Sequence, residues 1–146
     1  PSTDHECSNY EEVKEKLRAG MRILIRIGSA AKGIEEILRG IVRDGLPTEN
    51  FLFCTDDKHI EDIRRAGHIG ANVRQAIRLG LPPAAAVQMA TINTARCYGL
   101  RHLGAIAPGY QADLVILRDL DTVEIESVWY KGRTDFIPAL RPARQA

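Results

Sequence analysis

Three short polar segments of this chain combine residue types that bind metal ions or move protons. They are residues 3–6 (TDHE), 28–29 (GS) and 55–59 (TDDKH). Histidine and aspartate side chains that meet at one place are typical ligands of Zn, Fe or Mn, and they also serve as a general base and its orienting partner. The spacing equally allows a structural role, in which Asp56 or Asp57 caps the following helix and His5 is a hydrogen-bonded histidine near a chain end.

The composition excludes several classes of protein. Twenty basic and 19 acidic residues give a formal net charge of +1, and 45% of the 146 residues are hydrophobic. Without an apolar run of about 18 residues there is no membrane span, and without a dense basic run nucleic acid is not expected as the main partner. The polar first residues predict no signal peptide. Three widely separated cysteines predict no disulfide framework, and a cytoplasmic location is the simplest setting.

The elements that must position the polar segments alternate along the chain. Ser8 and Glu11 match a capping box, which predicts a helix from Ser8 to about Ala19, with Gly20 as its stop. A strand is predicted over 21–27. Ser29 is then expected to cap a helix with apolar positions at 34, 37, 38, 41 and 42. A wholly apolar strand is predicted over 51–54, and a helix-rich stretch from about 60 to 98.

This alternation predicts an α/β fold with a parallel sheet. Ligands of such sheets bind at the carboxyl ends of the strands, which is where the three polar segments fall. After Leu103 turn residues become frequent, and strands are predicted over 113–117 and 123–130, followed by a tight turn at 131–132. We therefore divide the chain into an α/β part (1–102), a β segment (103–133) and a loose tail (134–146).

Several motifs, in this order, resemble the bacterial and archaeal adenine deaminases of the amidohydrolase superfamily. They are residues 3–7 (TDHEC), 28–32 (GSAAK), 54–59 (CTDDKH) and 67–69 (GHI). Residues 89–96 (MATINTAR) and 104–115 (GAIAPGYQADLV) are similar to stretches found across the superfamily. The resemblance extends to about Arg133. It departs from the usual pattern at Ile27, Gly33 and Ile60, which puts the details of a substrate pocket near Ser29 in doubt.

The resemblance implies a fold that the chain is too short to complete, because an eightfold barrel takes roughly 250 residues. Residues 1–102 would be the region of strands six to eight of a TIM-like (β/α)8 metal-dependent hydrolase barrel. Residues 103–133 would be part of a small composite β domain. His5 matches the metal ligand on strand six and Asp56 the one on strand eight. The His-x-His pair of the first strand is absent, so the chain is expected to be a carboxyl-terminal portion.

The activity implied is hydrolytic deamination of adenine to hypoxanthine and ammonia, with water activated by a divalent transition metal (Mn, Fe or Zn). Asp56 would shuttle the proton, with Asp57 as its main rival, because neighbouring residues of a strand face opposite ways. His5 would hold the metal or the attacking water. Glu6 would orient His5, or would be no more than a solvated charge. With two matching ligands, the chain alone is expected to be inactive.

Substrate contacts are implied for Ser29, Lys32, Asp57 and His59. Ser29 fits equally well as a helix N-cap, and His59 and His68 as local packing residues. Two other functions stay open: a different amidohydrolase, acting on a cyclic amide or another nucleobase, and a non-catalytic module whose loops form oligomer contacts. Since one edge of the predicted sheet lacks a neighbour, self-association into a homo-oligomer is also expected.

Overall fold

A computed structural model of the chain describes residues 2–29 and 33–135. The described residues form five strands and six helices, and the predicted alternation of strands and helices is confirmed. In chain order the elements are β1 (Thr3–Asp4), α1 (Tyr10–Arg18), β2 (Arg22–Arg26), α2 (Ile34–Arg43), β3 (Phe51–Cys54), α3 (Ile60–Ala66), α4 (Ile69–Arg78), α5 (Pro83–Ala90), α6 (Ile92–Cys97), β4 (Leu114–Asp119) and β5 (Glu124–Trp129). No helix among these residues is long and apolar enough to cross a membrane.

Strands β1, β2 and β3 form a parallel sheet in that order, as the alternation predicted. Thr3 pairs with Arg22, and the β2–β3 register runs from Ile23 opposite Phe51 to Arg26 opposite Cys54. Helices α1 and α2 provide the two crossover connections. Because the strands run the same way, their carboxyl ends share one edge of the sheet, and residues 5–6, 27–29 and 55–59 follow directly from it.

The core lies between this sheet and the helices. Ile23 and Ile25 of β2 are buried, with Ile27 just beyond the strand, and all three phenylalanine and leucine side chains of β3 are buried. Tyr10 and Val13 of α1 pack in the same cluster, which also contains the predicted apolar side of α2: Ile34, Ile37, Leu38 and Ile41. Burial of one such side chain contributes about 1.5–3 kcal/mol, which fixes the helices on the sheet.

Two asparagine side chains cover backbone carbonyls of the β3 region. Asn93 is 4% exposed, and its Nδ2 donates to the carbonyl oxygens of Thr48 at 2.7 Å and Phe51 at 3.1 Å. Asn72 is fully buried, and its Nδ2 donates to the Cys54 oxygen at 3.0 Å. The carbonyls of Asn50 and Cys54 accept from β2, so the Phe51 carbonyl between them faces away from β2. Asn93 therefore takes the place of a strand neighbour there.

Both predicted helix caps are wrong. Helix α1 is capped by Asn9, whose Oδ1 accepts from the Glu12 N–H at 3.0 Å, while the Glu12 carboxylate accepts from the Ser8 N–H at 2.8 Å. The capping pattern is thus shifted by one residue from Ser8 and Glu11. Helix α2 begins after Gly33, not Ser29. Gly33 has φ +81°, and a Cβ there would lie 2.0 Å from the Ser8 oxygen, so the close approach needs glycine.

Strands β4 and β5 form an antiparallel ribbon, with Leu114 opposite Trp129. The two predicted strands are confirmed with shifted ends, since β4 continues to Asp119. Lys131 and Gly132 both have positive φ and form the predicted tight turn. Val123 joins the main core, but most large apolar side chains of the ribbon are exposed. The boundary at residue 102 stays a prediction, and residues 136–146 of the predicted tail lie outside the described part.

Candidate active site

Four ionisable side chains meet beyond the carboxyl ends of the three parallel strands. His5 and Glu6 follow β1, Arg26 ends β2, and Asp56 lies two residues after β3. The register sets Arg26 opposite Cys54, so the loop that carries Asp56 starts beside the arginine. The sheet therefore brings together three of the site residues predicted from the sequence, and adds Arg26.

The four groups form a closed ring of polar contacts. His5 Nε2 lies 3.0 Å from Glu6 Oε1 and 3.9 Å from Asp56 Oδ1. Arg26 Nη1 donates to Asp56 Oδ2 at 3.0 Å and lies 3.3 Å from Glu6 Oε2. The hydrogen bond to Asp56 raises the pKa of Arg26. The side chains are 28–61% exposed, so each pair contributes at most about 1 kcal/mol to stability.

Asp56 and Asp57 occupy different surroundings. Strand β3 ends at Cys54, and Asp56 has φ +41°, so the alternation of a strand does not extend to this pair. Asp56 reaches His5 and Arg26, whereas the Asp57 carboxylate packs on the backbone of Gly28: a Cβ at Gly28 would lie 1.7 Å from Asp57 Oδ1. Glycine at position 28 thus makes room for Asp57.

Ser29 bonds across to α3 instead of capping α2. Its Oγ donates to Asp62 Oδ2 at 2.5 Å and accepts from the backbone N–H of His59 at 2.9 Å. The bond from Ser29 lowers the pKa of Asp62. His59 is the N-cap residue of α3, where its side chain makes no capping hydrogen bond. Ser29 and His59 therefore lie together, and Lys32 lies outside the described residues.

The histidine at position 68 belongs to the neighbouring loop. It is the N-cap residue of α4, and its Nε2 lies 3.0 Å from Thr55 Oγ1. Nearby, burial lowers the pKa of Lys58, an effect opposed by Asp62 and reinforced by Arg74. These contacts tie the loop after β3 to the start of α4.

The donor atoms present fit part of a metal site. An imidazole nitrogen and a carboxylate are ligands that Mn, Fe and Zn accept, and His5 and Asp56 direct theirs toward one place. A catalytic metal needs about three protein ligands, and no three His, Cys, Asp or Glu side chains within residues 2–29 and 33–135 are placed so that they could hold a metal ion together. The pair therefore suits two ligands of a site that needs further donors.

The sequence carried a signal for Arg26 that the analysis of motifs missed. In β2, alternate residues Ile23 and Ile25 are buried, so Arg22, Leu24 and Arg26 lie on the other face. Arg26 is the last residue of the strand on that face, and its side chain reaches Asp56 in the loop after the neighbouring strand β3. An arginine at the carboxyl end of a buried strand is thus a candidate partner for the acidic residues there.

Comparison with known proteins identifies the family. The profile of the Amidohydrolase family matches residues 28–134. The chain belongs to the amidohydrolase family. Among curated relatives of this family member, adenine deaminase of Desulfitobacterium hafniense is 56% identical over 131 residues, and adenine deaminase of Desulforamulus reducens is 48% identical over 133 residues. Each alignment covers 90% of this chain, and the chain spans 23% of the length of either relative.

One solved structure has a fold similar to that of this chain. The β-aspartyl dipeptidase of Fervidobacterium islandicum AW-1 superposes with a TM-score of 0.65 over 84% of this chain and 35% of the dipeptidase. The two sequences are 23% identical, so the likeness concerns the fold. It shows that a solved structure shares the α/β arrangement described above.

Proposed function

We propose that the complete protein carrying this chain hydrolyses adenine to hypoxanthine and ammonia. The observation that carries the proposal is the convergence of His5 and Asp56, 3.9 Å apart, at the carboxyl ends of two strands that lie on either side of β2. The choice of adenine as the substrate rests on the adenine deaminases that are 56% and 48% identical to this chain. The reaction adds water at C6 of the purine and releases the exocyclic amine as ammonia.

The proposed architecture is a TIM-like (β/α)8 barrel to which β1, β2 and β3 contribute strands six to eight. Their parallel pairing, their order and the crossover helices support it. The β4–β5 ribbon, with its exposed apolar side chains, would be part of a small composite β domain. We also propose a cytoplasmic location and a homo-oligomeric assembly, the latter because the β1 edge of the three-stranded sheet has no neighbouring strand among the described residues.

The residues of this chain would act as follows. A divalent cation (Mn, Fe or Zn) would lower the pKa of water, and His5 and Asp56 would be two of its ligands. Asp56 would accept one proton from water and give it to ring N1, and would then carry the proton of the new C6 hydroxyl to the departing amine, since a carboxylate beside both partners can carry a proton between them. Glu6 would orient the imidazole, but its Oε1 now lies 3.0 Å from His5 Nε2, the nitrogen that also faces Asp56, so Glu6 would have to leave that nitrogen before the imidazole could hold the cation.

The purine would lie toward Ser29, Asp57 and His59. Ser29 Oγ already contacts Asp62 and the His59 N–H, so its part would be to hold the loop that presents His59. Both Asp57 and the His59 side chain are exposed at this edge of the sheet. A carboxylate and an imidazole there match the donor and acceptor pattern of a purine ring.

The test compares two isosteric substitutions in the complete protein. Asp56→Asn keeps the shape but removes the proton acceptor, so ammonia release from adenine is expected to fall by at least about 10²-fold. Asp57→Asn is the matched control and is expected to lower the rate less. A larger loss in Asp57→Asn would contradict the assignment. Ring opening of a cyclic amide without ammonia release from adenine would refute the proposed substrate.

The chain by itself is expected to bind divalent metal weakly and to release no ammonia from adenine. Two ligands without the remaining donors lack the preorganisation of a tight site. Titration of the purified chain with Zn, Mn and Fe, followed by the ammonia assay, measures both. Stoichiometric tight binding with turnover would show that other residues of this chain complete the site.

A further inference from the structure

We infer that Arg26 is a positioning residue that holds the Asp56 carboxylate toward His5, an inference that rests on the role proposed for Asp56. Arg26 Nη1 donates to Asp56 Oδ2 at 3.0 Å, while Oδ1, the other oxygen of the same carboxylate, is the one 3.9 Å from His5 Nε2. One oxygen is thus held by the arginine, and the other is left to face the histidine.

The loop that carries Asp56 needs such an anchor. Strand β3 ends two residues earlier, and Asp56 has φ +41°, in the left-handed region that glycine favours and that aspartate enters more readily than most other residues. Asp56 is one of three such non-glycine residues in the described part of the chain, with Val123 and Lys131 in the turns next to β5. Outside the strand no ladder of hydrogen bonds holds this residue, so its place depends on side-chain contacts such as the bond from Arg26.

Arginine suits this role because it can hold the Asp56 carboxylate while itself staying protonated. The guanidinium keeps its proton at any pH the protein meets, so it does not compete with Asp56 for the proton in transfer. It is fixed at its own base, since Arg26 is the last residue of β2 and is paired with Cys54 in the sheet. Its side chain is 28% exposed, less than the other three groups of the ring.

The same guanidinium lies 3.3 Å from Glu6 Oε2, and the other Glu6 oxygen lies 3.0 Å from His5 Nε2. Arg26 therefore touches both carboxylates that flank the histidine. The Arg26 guanidinium, on the middle strand, therefore holds in place two acidic side chains, which come from the loops after the strands on either side. This arrangement makes Arg26 the common support of the site, without contact to the reacting atoms.

The experiment replaces Arg26 in the complete protein. Arg26→Met removes the hydrogen bonds, and kcat for adenine is expected to fall by about 10²-fold with a much smaller change in KM, the loss typical of a group displaced by about 1 Å. Arg26→Lys restores one donor and should recover part of kcat. Arg22→Met is the matched control, on the same face of β2 four residues earlier, and is expected to leave kcat unchanged.

Crystal structures of the wild type and of Arg26→Met give a readout independent of activity. The Asp56 carboxylate is expected to turn away from His5 in the variant, with bound metal, measured by elemental analysis, retained. Three results for Arg26→Met would overturn the inference. The Asp56 carboxylate could stay where it is in the wild type, or KM alone could rise. A gain in both bound metal and kcat would show instead that the guanidinium fills the position of the cation. If the wild type releases no ammonia from adenine, the proposed function fails, and the carboxylate position still decides the role of Arg26.

Discussion

Replacement of Gly40 by alanine tests whether the contact between α1 and α2 limits the packing of this fold. Alanine normally stabilises a helix relative to glycine by roughly 0.5–1 kcal/mol. At Gly40, however, a Cβ would lie 2.5 Å from both Cγ and Cδ2 of the Tyr10 ring and 2.7 Å from Cε2. Carbon atoms pack best about 3.5–4.0 Å apart, so ring and helix must separate by about 1 Å.

The Tyr10 ring has little freedom to make that room. It is 3% exposed, its hydroxyl donates to Asp44 Oδ2 at 2.9 Å, and the Arg43 guanidinium lies 5.4 Å from its centroid. Overpacking of this kind costs about 1–3 kcal/mol. Set against the helix gain, Gly40→Ala is expected to lower the free energy of unfolding by about 1–2 kcal/mol, a fall in Tm of roughly 3–8 °C.

Gly70 of α4 provides the matched control, because a Cβ there would meet only Arg74 Nη1, at 3.9 Å. Gly70→Ala is expected to raise the free energy of unfolding by up to about 1 kcal/mol. Urea denaturation of both variants gives the two values. In a Tyr10→Ala background, Gly40→Ala should also become stabilising, since the clash is gone. Equal stabilisation by the two alanines in the wild-type background would refute the packing argument.

Three further predictions concern stability and association. Burial, followed by the bond to Asp44, raises the pKa of Tyr10 from 10.0 to about 12. The contribution of this raised pKa to the free energy of unfolding is therefore complete below pH 10 and is lost as the pH rises toward 12. Urea denaturation between pH 9 and 11 should show a smaller loss of stability for Tyr10→Phe than for the wild type. Phe51→Ala empties a fully buried position and should lower the free energy of unfolding by about 3–5 kcal/mol in the same assay. Analytical ultracentrifugation of the chain should show a mass that rises with concentration, whereas a strictly monomeric, cooperatively folded chain would contradict the expected self-association.

Much of the fold could be predicted because it depends on periodicity. Alternate isoleucines in β2 and the uninterrupted apolar run of β3 indicate one covered face and two covered faces respectively, and both patterns are confirmed by burial. The parallel order followed from the alternation of strands and helices. The placement of His5 and Asp56 at one edge followed in turn from that order.

What the sequence did not reveal depends on contacts between distant residues. Serine is a common N-cap residue, but the Ser29 hydroxyl donates a hydrogen bond to Asp62, which is 33 residues away. Local spacing in the sequence does not reveal this partner. Ser8 and Asn9 are both good N-cap residues, and the structure has Asn9 at the cap, where its Oδ1 accepts from the Glu12 N–H. Arg26 was missed because its partners depend on register across two strands.

The hydrogen bonds from Asn93 to the β3 region depend on a residue that is synthesised well after the strand. The Phe51 carbonyl is covered by a side chain 42 residues further along, and ribosomes add about 5–20 residues per second. For about 2–8 s after Phe51 is made, its strand has no Asn93 to cover it. The Phe51 carbonyl can be covered in this way only once the chain has been made as far as Asn93, so the hydrogen bonding of β3 is not complete before helix α6 exists.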